Sequence, residues 1–294
     1  MNILDAILLG ILQGITEFLP VSSSGHLVIL EAILKVQKTP SILFEASLHL
    51  GTLIAIIILF WKKIDEIIKF IFGGFNQQLK IKSDKNLFLR YYQDDPIARL
   101  LILIIISNIA TVIIGLGFED IFRKMFGSVK WVGVMLLITG CILLLTKMAK
   151  SDSITLENLR VEHALIIGIA QGIAVAPGIS RSGATIATAL LIGIARPDAA
   201  IFSFLISIPA IIGANFKEIL SQGVELSYGW LPILSGLLIS FITGFIALKF
   251  LINIVNRGKL YYFAFYCWIV GIGAIISSIY GNRIIIIINF IVGQ

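Results

Sequence analysis

The sequence predicts an all-α polytopic membrane protein with inverted-topology repeats: six transmembrane helices and two re-entrant helical hairpins, about ten helices in all. Three observations predict it. Hydrophobic residues make up 58% of the chain and charged residues only 14%, with a mean hydropathy of +1.00, and several apolar runs approach the ~20 residues that span a bilayer. A segment occurs twice, 158 residues apart, as GILQGITEFLPVSSSG at 10–25 and GIAQGIAVAPGISRSG at 168–183. Without a gap, Gly10, Gln13, Gly14, Ser22, Ser24 and Gly25 recur as Gly168, Gln171, Gly172, Ser180, Ser182 and Gly183, and the same register carries Phe44 onto Phe202. Finally, the basic residues divide unequally between the two faces that the span count defines.

Taken in chain order, the first half (1–158) opens on a stretch, 1–36, that Pro20 and three serines break in the middle. It reads as two short helices that enter the membrane and return. Full spans follow near 44–61, 97–118 and 130–148. Between the first two, 62–95 begins amphipathically (KKIDEIIKFIFGGF), as a helix lying on the lipid surface would. The second half (159–294) repeats the plan with a hairpin at 162–194 and spans near 199–216, 230–252 and 261–281. The Ile-rich tail 284–292 is too short to span alone. Three crossings per half is an odd number, so the second half enters from the opposite side and the hairpins meet from opposite faces. The two halves form one integral membrane domain. In the alternative reading, the second helix of each hairpin crosses fully.

Charge orients this scheme. Fifteen of the 23 Lys and Arg fall on the face that receives 62–95, seven on the other, and Arg181 lies inside the second hairpin. The richer face is cytoplasmic by the positive-inside rule, so both termini and the mouth of the first hairpin face outward. The net charge of +6 then marks cytoplasmic loops and implies no nucleic-acid partner. Cys141 and Cys267 lie in apolar runs, which suggests neither a disulfide framework nor a thiolate metal site. No basic n-region or cleavage signal follows Met1, so no signal peptide is expected.

Polar groups inside a bilayer are costly, and each requires a reason. The first hairpin offers Gln13, Glu17, Ser22, Ser23, Ser24 and His26. Gln13 and Glu17 are one helical turn apart on one face. The spacing of Ser23 and His26 suits an imidazole near a hydroxyl, and Ser22 or Ser23 is also a natural N-cap. The second hairpin offers Gly178, Ser180, Arg181, Ser182, Gly183 and Thr185. Loop amides before a helix form an anion site, and a guanidinium matches phosphate oxygens. The competing reading of Arg181 is an ion pair with Glu17 across the hairpins. Glu45 and His49, one turn apart, are weaker candidates; His163 reads as interfacial, and Arg196 and Asp198 as solvated charges in a turn. Together these groups point to phosphoryl chemistry. Arg181 and loop amides would hold the anion, a serine or a water would attack, and His26 or Glu17 would take the proton. Glu17 is the candidate ligand for a divalent cation, although no dense acidic cluster is present.

At these residues the chain resembles the bacterial undecaprenyl-diphosphate phosphatase family, of the bacitracin-resistance type. That family's first motif, Glu or Gln followed four residues later by Glu, is met by Gln13 and Glu17 ahead of Phe18-Leu19-Pro20-Val21-Ser22-Ser23-Ser24-Gly25-His26. Its PGxSRSxxT motif is met in full by residues 177–185. The resemblance covers nearly the whole chain. It implies removal of the terminal phosphate from C55-isoprenyl diphosphate, giving the carrier lipid of peptidoglycan synthesis. It also implies bacitracin resistance, a divalent cation (Mg²⁺ or Ca²⁺), and a bacterial inner-membrane location with the active site opening to the periplasmic or outer face. By motif position, Glu17, Ser23, His26, Ser180, Arg181 and Thr185 correspond to its site residues, while Gln13 takes the neutral option and so cannot serve as a base or charged ligand. Ser23 is the preferred nucleophile. The expected partners are the isoprenyl diphosphate lipid and the bilayer, with a homodimer left open.

A transporter or lipid flippase remains the main alternative, since broken helices in inverted repeats also build carriers. An acid-phosphatase motif built on Ser24-Gly25-His26 and Ser180-Arg181 lacks the second histidine with a nearby Asp that it needs. A pure scaffold would not need Glu17, His26 and Arg181 in the hydrocarbon zone.

Overall fold

The helix boundaries follow from local chemistry. The computed structural model describes residues 2–34, 42–74, 92–149, 153–222 and 229–292. Helix α1 (Ile3–Phe18) starts in a capping box between Asn2 and Asp5. It ends because Leu19 precedes Pro20 and must be extended, at ψ 144°. Helix α2 (Ser23–Leu34) follows the break, then α3 (Ile42–Leu59) and α4 (Trp61–Lys69). Helix α5 (Pro96–Gly117) carries Asp95 as its cap and Pro96 in its first turn. Helices α6 (Glu119–Phe126) and α7 (Val129–Leu145) come next, the latter capped by Ser128. The second half holds α8 (Val161–Ile173), α9 (Arg181–Leu191), α10 (Arg196–Gln222), α11 (Trp230–Asn256) and α12 (Phe263–Val292). No strand occurs among the described residues; one isolated bridge joins Ile154 and Ile194.

Five helical stretches are long and apolar enough to cross a bilayer: Pro96–Gly117, Val129–Met148, Arg196–Ser221, Trp230–Asn256 and Leu260–Tyr280. A sixth arises if α3 and α4, bent by 81° at Phe60, count as one span. These coincide with the six expected spans. The four helices of the hairpins have 16, 12, 13 and 11 residues, or ~24, ~18, ~20 and ~17 Å at 1.5 Å per residue. Among the described residues none reaches across the ~30 Å hydrocarbon layer, which in the second pair, whose last helix ends at Leu191, favours re-entry over a full crossing. Two segments gain detail. The Ile-rich tail is no separate piece: α12 runs unbroken through it to Val292. The amphipathic segment is helical at Trp61–Lys69 and continues as a π turn at Phe70–Gly74, while 75–91 lies outside the described residues.

The halves interleave, so a boundary at 158 divides the sequence and not the space. Helix α1 lies along α11 of the second half, and α8 lies along α5 of the first. The two junctions share one detail. Thr243 on α11 donates to the Ile239 and Gly10 carbonyls at 2.7 and 3.3 Å, and Thr111 on α5 to those of Ser107 and Gly168 at 2.9 and 3.0 Å. Gly10 and Gly168 are the repeat partners, and a side chain at either would strike the facing helix's carbonyl. Phe44 and Phe202, another repeat pair, are both fully buried. At the centre, Phe204 packs edge-on to Phe18 and stacks on Phe60, with ring centroids 5.8 and 5.7 Å apart. Many Ile and Leu of α5, α11 and α12 point outward, as expected of helices facing lipid.

Candidate active site

The two hairpin tips touch. Gly25 and Gly178 approach so closely that a Cβ on Gly25 would stand 3.0 Å from the Gly178 Cα. Gly178 adopts φ +96°, and a Cβ there would lie 2.5 Å from the Val132 carbonyl oxygen, so only glycine fits. Ser22 takes a left-handed φ of 69°, a cost of about 1–2 kcal/mol for a non-glycine residue. Its hydroxyl accepts from the Gly25 and Gly178 amides at 3.3 and 3.1 Å, capping α2 and joining the tips. Ser180 caps α9 in the same way through the Gly183 amide at 3.1 Å. Ser182 donates to the Phe18 carbonyl at 2.8 Å.

Thr139 on α7 anchors the second tip. Its hydroxyl donates to the Gly178 carbonyl at 2.8 Å and accepts from the Ser180 amide at 3.2 Å. Val132 and Thr139 stand ~5 and ~15 Å along α7 from Val129. The tips therefore lie between the middle of the span and its Val129 end.

Glu17 is the hub, and it is buried. Its Oε2 accepts from the Ser23 hydroxyl at 2.8 Å and from the Gln13 amide at 3.0 Å. Its Oε1 accepts from the Arg181 Nη2 across the junction. His49 Nδ1 lies 3.9 Å from Oε2 and meets Gln13 Nε2 at 3.1 Å. Glu45 shares a narrow cleft with Gln13, His49, Leu9, Leu27 and Leu48. The cross-hairpin ion pair, raised above as the competing reading of Arg181, is thus formed, and it sits beside a hydroxyl that the same carboxylate can deprotonate.

Several expected roles are redistributed. His26 does not reach Ser23: Nδ1 faces the Ser22 carbonyl at 2.8 Å and Nε2 the Tyr266 hydroxyl at 2.8 Å. Helix geometry explains this, because the start of α2 turns Ser23 back toward α1. Thr185 does not line the tips. It is fully buried and bonds to the Arg181 carbonyl at 2.8 Å and to Ser203 at 2.5 Å, joining α9 to α10. Gln13 orients Glu17 and His49. Ser22, Ser180, Ser182 and Gly183 are spent on holding the tips together, and three loop amides, of Gly178, Ser180 and Gly183, already have hydroxyl partners. Among the described residues the Arg181 and Ser182 amides, first of α9, meet no protein acceptor, so the anion-binding capacity is Arg181 with these two. Asp198 is no free solvated charge: it accepts from the Leu156 amide at 3.1 Å. His163 accepts from the Arg160 amide at 3.1 Å.

Sequence reasoning missed Thr139, Ser203 and Tyr266. A hydroxyl at mid-span is itself a signal, and Thr139 could have been flagged on that ground. Tyr266 reads only as an interfacial aromatic. A wider depression lined by Tyr92, Arg99, Arg160 and Glu162 is a poor anion site, because the Arg99 guanidinium is engaged by the Tyr92, Gln93 and Glu157 carbonyls.

Among the described residues no three His, Cys, Asp or Glu side chains converge as a metal cage would require. Glu17 is the carboxylate at the tip junction. Mg²⁺ commonly takes one or two carboxylates and completes its shell with substrate phosphates and water, so the residues present fit a cation that arrives with phosphate.

Fold and site together define a polytopic membrane protein with a Ser–Glu–Arg centre, built on a buried carboxylate, where two helical hairpins meet. The model of the family "Bacitracin resistance protein BacA" matches residues 6–273. An undecaprenyl-diphosphatase of Halothermothrix orenii is 44% identical over 281 residues, covering 95% of this chain and 99% of that one. Proteins of the same description from Korarchaeum cryptofilum and Methanosphaera stadtmanae are 44% and 40% identical, covering 94% and 95% of this chain and 99% of each relative. The chain belongs to the bacitracin-resistance protein family.

Proposed function

We propose that this protein hydrolyses undecaprenyl diphosphate to undecaprenyl phosphate and inorganic phosphate, renewing a carrier lipid for cell-wall synthesis and thereby conferring bacitracin resistance. The observation that carries the mechanism is the 2.8 Å hydrogen bond from Ser23 to Glu17, with Arg181 on the other oxygen of the same carboxylate. A nucleophile, its base and a cation for phosphate therefore sit within one cluster. Substrate phosphate competes with Glu17 for the guanidinium, whose other N–H groups stay available. The α9 N-terminus adds two amides and a favourable dipole. Ser23 Oγ then attacks the terminal phosphorus, its proton passes to Glu17, and the anhydride P–O bond breaks to release the lipid monophosphate. Water cleaves the phosphoserine in a second displacement; in the single-step variant, water occupies the position of Ser23. A Mg²⁺ or Ca²⁺ ion held by Glu17 and phosphate oxygens would neutralise charge on the transferring group.

The charge distribution supports a site opening away from the basic face, to the periplasmic or outer side of a bacterial inner membrane. The tips stand in the Val129 half of α7, and the Val129 end is the outer one in that orientation. The test is phosphate release by purified protein from undecaprenyl diphosphate, with and without EDTA, beside Arg181→Ala. Release that falls about 10²–10³-fold in the variant supports the reading. A folded wild type that releases no phosphate sinks it and points to a carrier.

A further inference from the structure

Three consecutive residues of α12 each hold a different part of the site. Tyr266 Oη lies 2.8 Å from His26 Nε2. Cys267 Sγ donates to the Pro20 carbonyl at 3.4 Å, in the first tip. Trp268 Nε1 donates to the Leu137 carbonyl at 3.2 Å, on the helix whose Thr139 anchors the second tip. On a helix, successive side chains fan out by about 100°, so this turn of α12 is wedged between the first hairpin and α7. It is distant in sequence from both motifs and belongs to neither.

We propose that Tyr266 is a positioning residue that holds the orientation of His26, whose tautomer the Ser22 carbonyl fixes. The Ser22 carbonyl can only accept, so His26 Nδ1, 2.8 Å from it, carries the ring proton. Nε2 is then the bare nitrogen, and it accepts the Tyr266 hydroxyl. The two rings lie nearly parallel, 9° apart with centroids at 5.7 Å, which restricts rotation of the imidazole about χ2. A hydroxyl also accepts, so the contact survives when the ring gains a proton. His26 can then move a proton only through Nε2, on the side that Tyr266 faces and away from Ser23. This leaves Glu17 as the base for Ser23 and assigns His26 to a separate proton, that of the departing or entering oxygen. This assignment of His26 rests on the phosphatase reading above, whereas the tautomer does not.

The chain has three histidines, so ¹⁵N-imidazole spectra of the protein in micelles can resolve His26, assigned by its loss in His26→Gln. Wild type is expected to show a protonated Nδ1 and an unprotonated Nε2. Tyr266→Phe keeps the ring and removes the hydroxyl. It should leave the tautomer in place, shift the Nε2 resonance as that nitrogen loses its donor, and lower kcat about 3–10-fold with KM unchanged, the worth of one neutral hydrogen bond. Tyr262→Phe, on the turn leading into α12, should change neither. A wild-type His26 protonated on Nε2 overturns the proposal, and so does a Tyr266→Phe protein whose kcat matches wild type. A wild type without phosphatase activity instead defeats the functional reading, and the spectra still decide the tautomer.

Discussion

The two hairpins share a frame and divide the chemistry. Ser22 and Ser180 stand at the same register and do the same work, each accepting the amide three residues on and each within 3.4 Å of the serine two residues on. The reactive positions differ. Glu17 faces Val175 in the register, Ser23 faces Arg181, and His26 faces Ala184. The first tip thus carries the carboxylate and the hydroxyl, and the second carries the guanidinium. Gln13 and Gln171 show the same divergence. Gln13 meets Glu17 and His49, whereas Gln171 donates to Thr111 at 3.1 Å and its buried carbonyl oxygen has no hydrogen-bond partner among the described residues. The repeat provides two helix-capped turns that fit against each other, and different residues at three positions make one composite centre.

The sharpest way to break that comparison is to move the carboxylate. Glu17→Gln should lower phosphate release about 10²–10⁴-fold, as expected for loss of a general base. Adding Val175→Glu at the equivalent register should not restore it, because Val175 faces Gly115 on α5 and not the tip junction. Restored turnover in the double variant would mean that register, and not tertiary position, places the base. A smaller effect sharpens the shared half of the comparison. Ser180→Ala should cost about 1 kcal/mol, the worth of one N-cap. Ser22→Ala should cost about 2–3 kcal/mol, since the buried Gly178 amide also loses its acceptor. Equal losses in thermal unfolding would show that the bond between the tips contributes nothing.

The smallest effect lies beside the tips, on α6, whose Phe122 and Met125 pack against Ala176 and Ile179 of the second hairpin. The Glu119 carboxyl accepts from Lys217 and from Arg123, and these donors hold it below its ordinary value of 4.5. A lowered carboxyl stabilises the fold above that ordinary value and loses its contribution as pH falls through the lowered one. Acid should therefore lower the melting temperature slightly less in Lys217→Gln than in wild type. High salt should erase the difference, since the pair is exposed. A difference that persists in salt would place the pair in a dry contact.

Much of this molecule was legible in the chain itself. Composition and run length gave the spans to within a few residues at most ends, because a bilayer demands both length and apolarity of any helix that crosses it. Residues that are costly in lipid marked the site: Glu17, His26 and Arg181 stood out because nothing else explains charge at that depth. The repeat announced two tips with matching caps. Tertiary structure alone decided how the polar groups pair. Ser23 turns to Glu17 and not to His26, since the start of α2 fixes its direction. Thr185 turns inward to Ser203, and His26 meets a tyrosine 240 positions away. Pairing depends on approach between helices that sequence spacing does not encode, and hydrogen bonds tolerate only a few tenths of an ångström.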